Sequence, residues 1–363
     1  MKALRNANRG TDKRRQKGFS LLELMVSVAI LVIVAGAVIM GMIRMTWSQS
    51  TVMNRTQMHS SVRNATELMQ QEVGQAGRIA AQPGLQLTTA ITVPAGSSSV
   101  VATPTITTTA TTGNATDRMY VGENLVVDPN TTNEETVTIS TQPTSTTITA
   151  TFTNSHLANA PVLVMGGFAS GIVPPTTSSM DLLVGNNTDT TTMPLTSATA
   201  SSGSTLKLYG DINGDGTMYY VTYHCDQTAG TLYRYISNTS DLNTATGVTY
   251  TLLLDNLGTN PPINNAPAPC FTYFTKDAPV NLTGGGTVTE TFVVNVAVTL
   301  TVNTQNKDLQ TAATQTETKA LLNIAPRNVF EAWQLASSPS GYVRAQPMPK
   351  NVYSALLSST LKY

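Results

Sequence analysis

The chain has 363 residues, of which 12% are charged, about half of the ~25% usual for a soluble domain. Its 21 basic and 21 acidic residues cancel, but unevenly: seven bases (Lys2, Arg5, Arg9, Lys13, Arg14, Arg15, Lys17) and one acid, Asp12, precede Gly18. The remainder is net acidic and has no basic run, which argues against a nucleic-acid partner, and its wealth of Thr, Ser, Asn and Ala reads as β-rich and exported.

Phe19 to Ile43 is a run of 25 residues with one charge, Glu23. As a helix rising ~1.5 Å per residue it exceeds the ~30 Å hydrocarbon core of a bilayer, and it is too long for the apolar part of an ordinary secretory signal. The bases before it place residues 1–18 in the cytoplasm and send the remainder outward. A carboxylate within such a span is costly and implies a function and a partner. Cutting the chain after Gly18 would leave an ammonium on Phe19, able to meet the Glu23 carboxylate of a neighbouring chain.

The stretch Lys17-Gly18-Phe19-Ser20-Leu21-Leu22-Glu23, with its basic leader and apolar continuation, resembles the processing motif of type IV prepilins. The resemblance implies cleavage between Gly18 and Phe19 by a prepilin peptidase, N-methylation of Phe19, and subunit docking guided by Glu23. It also implies assembly with other pilin or pseudopilin subunits on an inner-membrane platform, and contact with membrane lipid. Many major pilins have a mid-helix proline; here Gly36 and Gly41 are the expected flexible points.

The helix is expected to continue as a stem over 44–78, since no proline falls between Met45 and Gly77. Met45, Val52, His59, Val62, Met69, Val73 and Ala76 recur at helical spacing and predict one buried stripe. On that pattern His59 is a packed core histidine, while Arg55, Arg63, Glu67 and Glu72 take the polar faces.

Residues 79–117 form a Thr/Ser-rich variable segment, either short strands or a flexible stretch by composition. Residues 118–167 carry strand signals, RMYVGENLVVD, EETVTIS, TITATFT and PVLVMGG, around the turn Asp128-Pro129-Asn130. They resemble a small β-module of bacterial exported and phage structural proteins and are expected as an insertion, with His156 in a turn. Residues 168–330 are expected to form the pilin-like β body. Within it, TMYYVTYHC and GTLYRYI predict paired strands, and Phe292, Val294, Val296 and Val298 are predicted to share one face. Tyr219, Tyr220, Tyr223, Tyr233 and Tyr235 read as cross-strand packing or a binding surface. Asp211, Asn213 and Asp215 start like a calcium loop, but the twelfth position is Thr222, where a bidentate acid is wanted; the same residues also make a plain hairpin turn. Gly284-Gly285-Gly286 reads as a turn. Residues 331–363 form a tail without periodicity.

The strand pair, the LLLDNLGTN…PCFTYFTKDAP stretch and Pro326-Arg327-Asn328 resemble PilW-type minor pilins, and more broadly the large minor pseudopilins of type II secretion. The expected fold is α+β and pilin-like: a long N-terminal helix, transmembrane in its first half, packed on an antiparallel sheet. In an exported chain Cys225 and Cys270 read as one disulfide, with two buried thiols as the other reading. The three histidines lack metal spacing, and there is no G-x-S-x-G, P-loop or Rossmann fingerprint, so a structural subunit without a cofactor is expected rather than an enzyme. A pilus-borne adhesin or ligand-binding module is the reading of another class.

Overall fold

The computed structural model describes residues 18–176, 180–185, 190–197, 199–238, 248–281, 287–309, 311–337 and 345–357. The leader residues 1–17 and the expected turn Gly284-Gly285-Gly286 lie outside the described residues.

The dominant element is α1 (Leu21–Gln75), one helix of 55 residues or ~82 Å. It runs unbroken through Gly36 and Gly41. Two residues past its last turn stands Gly77, whose φ of 79° lies in the left-handed region. The Gly77 N–H donates to the Tyr209 carbonyl at 3.0 Å, and its own carbonyl accepts from the Phe168 N–H at 3.0 Å. A side chain here would meet the Val329 methyl at 2.8 Å, so the exit of the chain from the helix is built around a glycine.

Burial divides α1 in two. The large apolar side chains from Leu21 to Met53 are exposed, whereas Met58, Val62, Ala65, Met69 and Val73 are buried. The stripe predicted from Met45 onward therefore begins only at Met58, with Met45 and Val52 pointing outward. His59 is not a core residue either: its side chain is 57% exposed and pairs with Glu317. Helical periodicity marks a face, but it does not say where along the rod the partner surface starts.

Three short antiparallel strands form the centre of the β-module: β1 (Asn124–Val127) lies between β2 (Glu135–Thr138) and β3 (Val162–Val164). Their core side chains Leu125, Val127 and Val137 pack with Phe152 and with Leu85, Leu87 and Ile106 from upstream. The Thr-rich stretch thus contributes short strands, Gln86–Leu87, Val100–Ala102 and Ile106–Thr107, to the same core as the module.

Two antiparallel sheets follow. The first runs β4 (Thr205–Gly210), β5 (Tyr219–Asp226), β6 (Thr231–Asn238), β7 (Thr249–Leu254) in chain order. In the second, β10 (Thr287–Asn303) pairs on one edge with β8 (Leu257–Gly258) and β9 (Phe271–Asn281), and on the other with β11 (Thr316–Ile324). Leu206, Leu208, Val221 and Leu232 of the first sheet and Phe271, Val296, Val298 and Val302 of the second enclose the buried stripe of α1 in one core. Burying these apolar faces, at roughly 25 cal/mol per Å² removed from water, holds the stem to the body.

The predicted common face of β10 is split. Val296 and Val298 pack toward α1, but Phe292 and Val294 belong to a second cluster with Val329 and Ala332. The register explains the split: Phe274 pairs with Asn295 and Thr275 with Val293, so Val294 is an extra residue at a bulge. One inserted residue inverts the side-chain alternation beyond it.

The stretch after Phe330, which shows no periodicity in sequence, folds onto the body in its described part. Helix α2 (Arg327–Ala336) buries Val329 and Ala332, and α3 (Lys350–Leu357) buries Val352, Tyr353, Ala355 and Leu356. Such short helices hold two or three turns, too few for a period to stand out from sequence.

Candidate functional site

The N-terminal end of α1 is the functional feature that the fold leaves uncovered. Ser20 occupies the N-cap position without a side-chain cap, and its carbonyl accepts from the Leu24 N–H at 3.1 Å. Glu23 lies in the first helical turn, where a carboxylate is favourably placed against the positive end of the helix dipole. Phe19 is 80% exposed, and a side chain at Gly18 would have no heavy atom within 4 Å. Among the described residues nothing covers the peptide bond between them. Ser27 turns its hydroxyl inward to the Glu23 carbonyl at 2.7 Å, as Thr46 does to Met42 at 2.9 Å, so hydroxyls in the apolar half are satisfied within the helix.

An 18-residue window of this helix has a mean hydropathy of 2.8, and none of it is buried by the rest of the chain. It is long and apolar enough to cross a membrane, and it is not the core helix of a globular body. Residues 13–39 match the family described as the prokaryotic N-terminal methylation motif. No curated protein and no solved structure matches the chain. Motif, long apolar helix and antiparallel sheets together define a type IV pilin-like protein with an α+β pilin-like fold. The motif implies processing by a prepilin peptidase and assembly with other pilins.

Where the stem meets the body, an ion pair sits in the core. Glu72, expected on a polar face, is buried; its carboxylate takes the Arg234 guanidinium, with Nε at 3.1 Å, and the Tyr223 hydroxyl. Burial beside this carboxylate pushes the Tyr223 phenol well above its ordinary range. The signal in the sequence was position: Glu72 stands three residues after Met69 and next to Val73, hence on the apolar stripe.

The remaining candidates divide. Cys225 in β5 and Cys270, one residue before β9, form a disulfide with Cα atoms 6.4 Å apart, which staples the two sheets. Asp211 is buried; it accepts from the Gly216 N–H at 3.1 Å and faces Arg78 Nε at 3.5 Å. Asp215 accepts from the Thr217 N–H at 2.7 Å and the Tyr219 hydroxyl at 3.2 Å, and the Thr217 bond above all holds its carboxyl below the usual range. Asn213 is exposed. Among the described residues no group of three His, Cys, Asp or Glu is placed to hold a metal ion.

His156, expected in a turn, stands in a lone bridge to Ile91 between a bend and a turn. It is buried in the module, with Nδ1 2.7 Å from Asp128 and Nε2 2.6 Å from Glu135. Glu135 also accepts from the Thr153 N–H at 2.8 Å and the Asn154 N–H at 3.2 Å. This cluster ties the Asp128 turn to two strands, and its members lie too far apart in sequence to be linked by spacing. The tyrosines separate by face: Tyr223 points into the α1 core and Tyr220 into a second core beneath α3. Tyr233 and Tyr235 join Tyr250 with ring centroids 6.1–6.4 Å apart.

Proposed function

We infer that this chain is a minor subunit, PilW-like, that initiates or caps a type IV pilus. The observation that supports this reading is the bulk carried beside the stem. In addition to the two sheets that enclose α1, the body bears the β-module and the packed C-terminal helices. A subunit repeated thousands of times in a closely stacked fibre is best compact, whereas this bulk fits most easily at a filament end. In this role the peptidase cuts between Gly18 and Phe19, the new amine on Phe19 is methylated, and the Glu23 carboxylate meets the amine of an adjoining subunit. The leader lies in the cytoplasm and the body in the periplasm before the subunit enters the fibre.

Mass spectrometry of the membrane-bound protein tests the first step: the mature chain should begin with methylated Phe19, and an intact leader would refute the assignment. Quantitation in sheared filaments tests the second. A few copies per fibre are expected, and a copy number like that of the main subunit would rule out the end position. Glu23→Val should keep processing but reduce incorporation at least tenfold. The same N-terminal motif serves minor pseudopilins of type II secretion; deletion of the gene should abolish piliation on the pilus reading and protein export on the other.

A further inference from the structure

A cleft of about 720 Å³ opens where the β-module meets the body, lined by the segment before β1, Gln142 beyond β2, Gly185, the turn before β5, the end of β6 and the start of α3. Two cations, Arg118 and Lys350, line it, and among the described lining residues there is no carboxylate. Gln142, Asn238 and Asn351 contribute amide groups, and Met218 an apolar floor. Its size lies within the range of small-ligand sites, which favour such junctions.

Two local features fix the cations. Arg118 has a φ of 77°, a conformation unusual for a residue with a side chain. Its guanidinium lies over Gly216, where a side-chain carbon would come within 2.4 Å of Nη1; the glycine makes the space. Asp215 accepts from Thr217 and Tyr219 and feels the charge of Arg118, but it is not among the described lining residues. Lys350 is the first residue of α3, whose first turn holds no acid.

We propose that this cleft binds an acidic sugar, its carboxylate held between Arg118 and Lys350, its hydroxyls on the amide side chains and one ring face against Met218. A carboxylate between two cations makes charge-assisted hydrogen bonds, roughly twice as strong as neutral ones; hydroxyls suit amides that can both donate and accept. This goes beyond the role of a filament subunit and does not depend on it.

The test is calorimetric titration of the full-length protein in detergent with D-glucuronate, D-glucose and inorganic phosphate. Glucuronate should bind saturably and at least about tenfold tighter than either other probe. Arg118→Gln and Lys350→Gln should each weaken it by about tenfold, equal to ~1.4 kcal/mol, while Lys319→Gln, on β11, should leave it unchanged. Lys350 is exposed, so its variant tests the site even if replacing Arg118 disturbs the local backbone. Absence of saturable glucuronate binding overturns the proposal, as does phosphate binding as tightly, which would reveal a bare anion site. Affinity unaffected by Lys350→Gln would also overturn it.

Discussion

At the scale of single residues, the charges that water reaches least carry the sharpest consequences. Glu72, Arg234 and Tyr223 form a buried polar link between stem and sheet. Removing one partner from a buried pair leaves the other uncompensated and costs about 3–5 kcal/mol. Glu72→Ala should therefore destabilise the folded body by about that much, read as a drop in the urea midpoint, whereas Glu67→Ala, on the exposed side of the helix, should change it little. Two further acids, Glu123 and Glu290, are buried and are each pushed up to about 8 by that burial. The folded chain then holds protons that the unfolded chain releases, since an unfolded glutamate titrates near 4.5. Their contribution to stability is complete below pH ~4.5 and is lost as pH rises through about 8. Lys207, pushed down to about 8 by burial, acts above that window. Glu290→Gln keeps an acceptor for the Leu183 N–H, which now reaches Oε2 at 3.1 Å, and removes the titration. Stability measured at pH 5 and pH 8 should then differ less in the variant than in the parent chain.

At the scale of elements, the readable parts were those whose pattern repeats. The apolar run, the long helix and the strands β5 and β6 follow from composition and alternation over many residues, and they lie where the sequence placed them. What escaped was local and non-periodic. The bulge at Val294 reversed the faces of β10 because a single extra residue leaves no trace in a run of valines. Helices α2 and α3 are too short to show a period, and the Asp128, Glu135 and His156 cluster is joined only by the fold. Gly77 belongs with these. Its left-handed conformation and the close approach of Val329 predict that Gly77→Ala costs about 2 kcal/mol or more. Thermal unfolding should show this loss, with Gly74→Ala as the contrast, because a side chain at Gly74 meets nothing within 4 Å and gains helix propensity.

At the scale of the whole molecule, a bare rod is joined to a body built from several packed layers. The motif that defines the rod occupies 27 of 363 residues, which is why class was legible from sequence while the place in a filament was not. The body keeps its two sheets in register around the stem by burial and by the Cys225–Cys270 bridge, which closes a separation of 45 residues. In the chain-entropy account such a loop contributes ~4 kcal/mol. Replacing both cysteines by alanine should lower the unfolding free energy by about that amount, and adding a reductant to the parent chain should reproduce the loss.

The hairpin joining β10 to β11 also reaches down beside the helix. Asp308 accepts from the Thr51 hydroxyl at 3.1 Å, and Gln57 donates to Gln305 at 3.2 Å. This collar grips α1 eight residues past Ile43, ~12 Å further along the axis. Withdrawal from a bilayer would thus exchange lipid for neighbouring subunits around the naked shaft alone. The globular part, standing clear of the hydrocarbon, would keep its hydration throughout, so the work of extraction would depend on shaft length and not on how large a cargo rides above it.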